Sequence, residues 1–554
     1  MRRSKAFLSL LCVFLTICST AFAQNSISIE ESHSGFLGGL TRPYRQRTIS
    51  PVNLNNSGRL EQLVRAGKLY LSAADVVALA IENNLDIEVQ RYGPILANEV
   101  LNRAKSGNLL RSVTSPIVSG PSSVNPQGVN LTSISGGSAT GSSVSSGGGI
   151  VTGIGPTPPT LDPSFNAALS WNHFTQVNSN TSQFQTAVLT GTAQTYNFGY
   201  QQGFLTGTNM ALSFNNQRNS TNAPSNLLNP STTSSLELTV YQNLLQGFGV
   251  AVNNRYIRVA KNNVKVSDLL FKQQLITTVS AVLNVYWDLV AFNENVRVAK
   301  RTLATSNKLY EDNKKQVDIG TLAPIEVTRA EAEVSTNEQN LLVAETNLLQ
   351  QETILKNALS RNGVASPTIS EVRIVPLDQM RVPEKESIDS VANLVDQALQ
   401  RRPEIQQDKV NIESTKINMT GTRNALRPTL QAFVDFTNHG LSGSPNALNT
   451  GGEFGVPNPY FVGGYGNVLG QLARRNFPDY SAGFSLNIPF RNRSAQADYA
   501  TDQLQLRQNE LQLQKAVNQV RVDVQNAVIG VKQARAGYEA SVKARILQEQ
   551  TLRS

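Results

Sequence analysis

The residues in this chain best suited to acid–base or metal chemistry are its three histidines, His33, His173 and His439. A metal centre or a catalytic pair needs such side chains at positions that the fold can bring together. These three lie far apart, in a polar N-terminal region and in segments predicted below to be strand or loop. The sequence also contains no His-Glu-x-x-His motif. We therefore expect no metal ligand and no catalytic residue.

Motifs that bind nucleotides are also missing from the sequence. The only Gly-Lys pair, Gly67-Lys68, is followed by Leu69 where a phosphate-binding loop needs Ser or Thr. Gly147-Gly148-Gly149 lies in low-complexity sequence, and Glu326 lies on a predicted helix where solvation or pairing is expected. The net charge of +9 is modest for 554 residues with both signs mixed. We predict no cofactor, no nucleic-acid partner and no enzymatic activity.

The N-terminus has the pattern of a signal peptide. Basic residues at 2–5 precede a short apolar stretch, 6–18, and Ala21-Phe22-Ala23 forms a cleavage site. The apolar stretch is too short for a spanning helix, which disfavours the alternative of a retained anchor. Cys12 and Cys18 both lie in this leader, so the exported chain would have no disulfide. Cys18 follows an isoleucine and not a small residue, which favours simple cleavage over lipid attachment.

Long helices are predicted for much of the exported chain. Residues 250–319 contain neither glycine nor proline, and one helix of this length would extend about 100 Å. Apolar residues recur within it in steps of three and four, the spacing of a coiled-coil seam: Ile276, Val279, Leu283, Tyr286 and Val290. Asn284 and Asp288 interrupt this stretch, which indicates a packing face and not a membrane span.

A second long helix follows a short turn. Gly320 is predicted to end the first helix, and Pro324 suits the first turn of the next, residues 325–361. One heptad position of that helix is large and apolar: Val327, Val334, Leu341, Leu348 and Leu355. Its partner position is small or polar: Ala330, Asn337, Ala344, Gln351 and Ala358. This pairing indicates close packing on neighbouring helices. A coiled-coil hairpin without a lumen remains an alternative from these residues alone.

A sequence repeat relates the two halves of the chain. Residues 77–87 resemble residues 395–405, and each segment begins a helical stretch that ends near a Leu-Arg pair, at 110–111 or 426–427. Extended segments follow in both halves. We therefore predict one unit of helix, strands and long helix that occurs twice.

Four extended segments of about nine residues alternate between apolar and largely polar positions, as transmembrane β-strands do. Their apolar positions are Phe165, Ala167, Leu169 and Trp171; Leu236, Leu238 and Val240; Leu430, Ala432, Val434 and Phe436; and Ala482, Phe484, Leu486 and Ile488. A soluble sandwich has the same pattern, but four strands between long helices are too few to close one. Residues 438–479 are predicted as an external loop, and 175–234 as a longer one that adds extended ribbon at 188–214.

An open four-stranded sheet cannot stay in lipid, because its edges would leave backbone groups unpaired. Several copies must then close one barrel, and three copies would give twelve strands.

The order of these elements resembles that of the TolC-like outer-membrane efflux protein family. The segments that carry the resemblance are Leu71–Ile87, Val240–Leu245, Asp318–Ala330, Arg402–Ile405 and Leu486–Phe490. Each is only a few residues of helix or strand boundary, so their order and duplication make the match.

The resemblance implies an α+β membrane protein, in which a long α-helical coiled-coil barrel, the periplasmic tunnel, continues a β-barrel of four strands from each of three subunits. It implies a passive outer-membrane channel of a tripartite efflux pump or type I secretion system. Its partners would be a periplasmic adaptor (membrane fusion) protein, an inner-membrane transporter and outer-membrane lipid. The adaptor would contact Gly320, Thr321 and Leu322. An exported structural coiled-coil or adhesin-like surface protein is the alternative.

The segments expected in chain order are a signal peptide (1–23), a polar N-terminal extension (24–70), a first-repeat helix (71–111), a Ser/Gly-rich flexible insertion (112–163), first-repeat membrane strands with a long loop (164–246), a long helical hairpin (247–363), a second-repeat helix (364–428), second-repeat membrane strands with an external loop (429–490) and a second-repeat long helix (491–554). Relative to the first long helix, the last one ends near its middle. We expect the sequence to lack the second hairpin and its gate residues.

Overall fold

The computed structural model describes residues 29–30, 44, 46–111, 117–124, 155–363, 367–383, 389–449 and 455–553. The predicted signal peptide, Cys12, Cys18 and His33 lie outside the described residues. The chain forms two compact units. The first comprises Met1–Tyr92, Ser119–Ala139 and Leu275–Val382, and the second comprises Gly93–Val118, Thr140–Gln274 and Pro383–Ser554.

The helices in the described residues are α1 (Gly58–Leu63), α2 (Ala73–Asn83), α3 (Leu85–Lys105), α4 (Val250–Asn253), α5 (Arg255–Asp318), α6 (Ile325–Leu359), α7 (Pro367–Ser370), α8 (Val391–Arg401), α9 (Pro403–Ala425), α10 (Tyr465–Arg474) and α11 (Arg493–Arg553). The strands are β1 (Ile29–Glu30), β2 (Thr48–Ile49), β3 (Val64–Arg65), β4 (Lys68–Leu71), β5 (Ser164–Val177), β6 (Val188–Gly203), β7 (Thr208–Thr221), β8 (Leu228–Asn243), β9 (Arg373–Pro376), β10 (Thr429–Pro445) and β11 (Pro478–Asn487).

The first unit contains a three-stranded sheet in the order β3–β4–β9, in which β4 and β9 run parallel. Strands β4 and β9 and helices α2, α5 and α6 contribute to one buried apolar cluster. Its members include Leu69, Leu71, Val76, Leu79, Val282, Val285, Tyr286, Leu289, Leu355, Leu359 and Ile374. The Tyr286 hydroxyl lies 3.0 Å from the carbonyl oxygen of Leu71 and 2.9 Å from Oδ2 of Asp378. Burial of this hydroxyl raises the pKa of Tyr286.

The expectation of a polar extension at 24–70 is wrong for its last part. Elements α1, β3 and β4 begin within this segment, and Leu60 and Leu69 are buried in the core of the first unit. Strand β4 pairs with residues 373–376, which lie far along the chain. Local periodicity cannot reveal a strand of four residues whose partner is so distant in sequence.

Helix α5 covers most of the region without glycine and proline, as predicted, but its buried stripe differs from the predicted seam. Tyr286 and Val290 are buried as expected, whereas Ile276 is 49% exposed. Gln274 and Thr278 are buried instead. The prediction counted apolar residues only, and so it missed polar side chains that occupy buried positions.

Helix α5 also meets the length and hydropathy criteria for a membrane span, with 39% of the relevant window buried. Val282, Tyr286 and Leu289 of this helix belong to the apolar cluster of the first unit. We therefore keep the interpretation of this stretch as a packing face.

The heptad predicted in α6 is confirmed by burial at four of the five residues of its small and polar position, and Ala344 is half-buried. Ala330, Asn337, Gln351 and Ala358 are all buried. The Asn337 amide donates to Oγ of Ser306 at 2.7 Å, and the Gln351 amide donates to the carbonyl of Val285 at 2.8 Å. Short and polar side chains at this position therefore let α6 pack closely on α5 in the first unit.

A six-stranded antiparallel sheet lies in the second unit, in the order β11–β10–β8–β7–β6–β5. The sheet therefore has two strands more than the four membrane strands predicted, because β6 and β7 lie between β5 and β8. The extended ribbon expected at 188–214 is present as the hairpin of β6 and β7. Thr, Asn, Gln and Ser occupy many positions of these two strands, so their alternation is weak in the sequence.

The described ends of the insertion at 112–163 are fixed to helices, which corrects the expectation of flexibility for these parts. In the second unit, the Gln274 amide exchanges two hydrogen bonds with the backbone of Val118, at 2.8 and 2.9 Å. In the first unit, the Gln351 side chain accepts from the backbone of Val124 at 3.0 Å. Gly120 is needed for close approach, because a Cβ there would lie 2.4 Å from Cβ of Ala281.

Helix boundaries agree with the sequence repeat. Helices α2 and α8 are both 11 residues long, and each is followed by one extended residue, Asn84 or Arg402, with nearly equal backbone angles. Longer helices of 21 and 23 residues follow. The local causes of the break differ: Asn84 accepts a hydrogen bond from the backbone of Asp86, whereas Pro403 follows Arg402. The repeat itself stays a prediction.

A buried ion cluster joins α6 to β9 in the first unit. The side chains of Glu352 and Lys356 are 3% and 6% exposed, and their charged atoms are 3.9 Å apart. Arg373 lies 3.6 Å from the other oxygen of Glu352. Burial raises the pKa of Glu352 and lowers the pKa of Lys356, because each charged form loses hydration.

We predict that Lys356→Met destabilises the first unit by about 3 kcal/mol at pH 7, because it leaves the buried Glu352 without its closest cationic neighbour on α6. A raised carboxyl pKa favours folding below the ordinary value of 4.5 and loses this effect as pH rises, so the penalty should shrink toward pH 5. Thermal loss of helical circular dichroism at both pH values measures this. The double variant Glu352→Gln/Lys356→Met is the control and should recover most of the loss. Equal damage at both pH values would contradict the prediction.

Candidate functional site

One face of the six-stranded sheet is apolar at the end of the strands nearest the connections to the helices. This apolar face consists of Phe165, Ala167, Leu169 and Trp171 in β5; Tyr196, Phe198 and Tyr200 in β6; Met210, Leu212 and Phe214 in β7; Leu236, Leu238 and Val240 in β8; Leu430, Ala432, Val434 and Phe436 in β10; and Tyr480, Ala482, Phe484 and Leu486 in β11. The apolar positions predicted within the four strands lie on it, except Ile488, which follows the end of β11, so the predicted alternation is confirmed within the strands.

Among the described residues, none covers this apolar face. Phe165, Trp171 and Phe484 are 70%, 64% and 74% exposed. Contiguous apolar surface of this extent, formed by alternate residues of every strand, is typical of contact with lipid or with another protein.

Helix α10 covers the far end of the same face. Asn438 donates to the carbonyl of Leu472 at 2.6 Å. Beyond the end of β11, the Gln471 amide exchanges two hydrogen bonds with the backbone of Leu441, at 2.9 and 3.0 Å. The Gln471 side chain therefore pairs with the backbone of β10 where β11 no longer does. Residues 438–479, expected to form an external loop, include the end of β10 and this helix.

The opposite face of the sheet is polar. Its alternate positions carry mainly Ser, Thr, Asn, Gln and Gly, and its ionised groups are acidic: Glu237, Asp435 and Asp479. Thr239 and Thr437 donate to the two carboxylate oxygens of Asp435, at 3.1 and 3.0 Å. A cavity of about 640 Å³ opens along this face. Such a surface contacts water readily and is suited to line a pore.

The two histidines within the described residues are not brought together. His173 lies on strand β5 on the same side as the apolar face, whereas His439 lies on the polar face of β10. His439 Nε2 is 3.0 Å from Oδ2 of Asp479, and both side chains are exposed. Across the described part of the chain, no cluster of three or more His, Cys, Asp or Glu is placed to hold a metal ion.

Strands β5 and β11 are the two edges of the sheet. Within the described residues, each pairs with a strand on one side only. The outer edge of each therefore presents backbone N–H and C=O groups to its surroundings. These edges are the sites at which a further strand could pair.

The predicted tip between α5 and α6 is formed by a helix-ending turn. Gly320 has φ +86°, its backbone N–H donates to the carbonyl of Val317, and that of Thr321 donates to the carbonyl of Gln316. This pair of bonds is a Schellman motif, which favours glycine at the left-handed position. Gly320 and Thr321 are exposed, whereas Leu322 is half-buried.

Two further residues of the tip were not predicted as contacts. Ile319 and Ile325 are 77% and 64% exposed on either side of the turn. Their position next to Gly320 and Pro324 is visible in the sequence. The signal is weak, however, because single exposed apolar residues are common on protein surfaces.

Helix α11 packs on α9 in the second unit through polar contacts. Asp502 accepts from the Thr422 hydroxyl at 2.8 Å, and Arg402 lies 3.1 Å from Asp523. Another side of α11 exposes apolar residues that include members of heptad steps: Leu504, Leu511, Val522 and Ile529. Repeated exposed apolar residues at this spacing indicate a packing face that no described element covers.

Comparison with solved structures finds several outer-membrane channels. They include the Campylobacter jejuni CmeC outer membrane channel (13% identity, 89% of this chain and 76% of that chain, TM-score 0.43). VceC from Vibrio cholerae has 11% identity over 83% of this chain and 79% of its own, with a TM-score of 0.44. The open state of the Neisseria gonorrhoeae MtrE outer membrane channel has 12% identity over 93% and 84%, with a TM-score of 0.47.

No curated protein matches the sequence. Residues 201–361 match a family profile described as outer membrane efflux protein. This segment runs from the end of β6 through β7, β8 and the hairpin of α5 and α6, so it includes both membrane-type strands and long helices. Over these residues the match confirms the resemblance to outer membrane efflux proteins that was found in the sequence.

Proposed function

We propose that three copies of this outer-membrane efflux protein close one channel, which receives its cargo from a periplasmic adaptor and an inner-membrane transporter. The observation that carries the proposal is a sheet with a polar face, an apolar face that no described residue covers, and two edges that no described strand pairs. Lipid would cover the apolar face, and the polar face would line the water-filled bore.

Closure by further copies follows from the free edges. In lipid, each unpaired backbone group costs several kcal/mol, so a sheet open at β5 and β11 cannot be a stable membrane structure. Pairing β5 of one copy with β11 of the next removes both edges around a ring. The exposed heptad residues of α11 would be covered in the same assembly, by helices of a neighbouring copy.

The adaptor would bind at the tip between α5 and α6. Gly320, Thr321 and Leu322 stay our candidate contacts, and the exposed Ile319 and Ile325 extend this surface. A partner must supply the energy for transport, because the proposed role of the chain is that of a passive wall.

We predict that Leu169→Arg prevents assembly in the outer membrane. A cation on the lipid side costs about 2–4 kcal/mol in each copy near the bilayer midplane. Ser170→Arg is the matched control, because the adjacent residue lies on the polar face and its charge would stay in water. Heat-modifiable trimer in the outer-membrane fraction, resolved by semi-native electrophoresis, measures the effect. Equal loss of trimer in both variants would refute the assignment of the faces.

We predict that Thr321→Arg/Leu322→Arg abolishes crosslinking to the adaptor and leaves trimer formation unchanged, because both substitutions place bulky charge at the tip. Thr336→Arg is a control at another exposed position on α6. Crosslinking in whole cells, followed by electrophoresis of the trimer, tests this. Undiminished crosslinking of the double variant would exclude these two residues as contacts.

A further inference from the structure

We propose that the hairpin of β6 and β7 crosses the membrane as part of the barrel wall, so that each copy contributes six strands and three copies close an eighteen-stranded barrel. This inference rests on the proposed function. It differs from the twelve strands that the family resemblance implies.

The first observation is that the apolar residues of neighbouring strands lie directly opposite one another. Phe165 in β5 pairs with Tyr200 in β6, which pairs with Leu212 in β7, which pairs with Leu238 in β8. A hairpin that projected into water beyond the membrane would have no reason to carry apolar residues in the same rows and on the same side as its neighbours. Burial of these rows in lipid explains the alignment.

A second row gives the same result. Phe198 pairs with Phe214, and Phe214 pairs with Leu236. The Phe198 ring stacks between those of Phe165 and Phe214, with centroid distances of 6.2 and 6.3 Å. The apolar face is therefore continuous from β5 to β8 through the hairpin.

The third evidence is the position of the turn that joins β6 to β7. The backbone of Gly249, at the start of α4, donates to the carbonyl of Thr206 at 3.1 Å. The Asn253 side chain donates to the carbonyls of Leu205 and Gly247, at 3.0 and 2.9 Å. The turn therefore lies where β8 connects to the helices, so the hairpin reaches the helix-connected end of the strands.

Glycine at the turn fits this location. Gly207 has φ +90°, and a Cβ on it would lie 2.3 Å from the carbonyl oxygen of Gly247. The backbone of Gly203, at the end of β6, donates to the carbonyl of Thr160, which lies just before β5. The turn of the hairpin is thus hydrogen-bonded to the segment just before β5 and to the segment just after β8.

Two additional strands per copy would widen the bore. Barrel diameter grows roughly linearly with strand number, so eighteen strands give a diameter about 1.5-fold that of twelve. Single-chain barrels of this size leave an open aqueous channel. The added positions on the polar side of β6 and β7, such as Asn197 and Ser213, would line it.

Cysteine substitution tests the inference directly, since Cys12 and Cys18 are the only cysteines and both lie in the predicted leader. A fluorophore is attached at Leu212→Cys or Ser213→Cys in β7. The matched controls are Leu238→Cys and Glu237→Cys, which pair with these positions in β8. The trimer is reconstituted in vesicles with nitroxide-labelled lipids, which quench only fluorophores that face the acyl chains.

The expected result is loss of fluorescence at Leu212→Cys equal to that at Leu238→Cys, with Ser213→Cys and Glu237→Cys unquenched. Quenching at Leu238→Cys without quenching at Leu212→Cys would place the hairpin outside the membrane and overturn the inference, while the proposed channel would stand. Absence of quenching at Leu238→Cys as well would overturn the proposed function itself.

A second measurement needs no substitution. Electron-microscopic averages of the solubilised trimer give the outer diameter of the barrel end. A diameter about 1.5-fold that of a twelve-stranded barrel supports the inference. A diameter equal to that of a twelve-stranded barrel refutes it.

Discussion

In the proposed channel, the need to pair every backbone hydrogen-bonding group in lipid governs the structure. It explains why the membrane part would be a sheet of strands that pair along most of their length, and why an open sheet would require neighbouring copies. It also explains how the chain itself pairs the part of β10 that extends past β11. Beyond the end of β11, Gln471 supplies a side-chain donor and acceptor to the backbone of Leu441, so β10 is not left unpaired there.

Buried glutamine amides serve the same purpose in the helical parts. Gln274 binds both backbone groups of Val118, and Gln351 accepts from the backbone of Val124. An extended segment beside a helix has no ladder to satisfy its backbone, and a side-chain amide offers one donor and one acceptor at the right spacing. The polar residues at the close-packed position of α6 therefore hold other segments in place as well as fitting a narrow gap.

The sequence was sufficient for features that depend on local patterns. The helix limits near Gly320 and Pro324 and the apolar side of four strands follow from turn residues and from periods of about 3.6 and 2. Contacts between distant residues were not accessible in this way. Strand β4 is short and depends on its pairing with β9, and the buried side of α5 begins with the polar Gln274. The tip candidates Gly320, Thr321 and Leu322 came from the family resemblance and not from any chemical signal of their own.

The hairpin of β6 and β7 shows why strand number was underestimated. Tyr196, Phe198 and Tyr200 do alternate, but Gly199 and Asn197 between them, and the long polar continuation of both strands, resemble loop sequence. Once the register is known, each apolar residue has a partner on the next strand, and the pattern becomes a continuous surface.

The chemistry of the polar face is consistent with passage and not with capture of a solute. Conduction requires contacts strong enough to admit a solute and weak enough to release it. The carboxylate of Asp435 already accepts hydrogen bonds from Thr239 and Thr437, so the wall satisfies part of its own polar capacity. Short hydroxyl and amide side chains offer a passing solute little more than water does. In the proposed function, selection of cargo would fall to the partner proteins, and the exposed Ile319 and Ile325 would offer them apolar contact area at the tip.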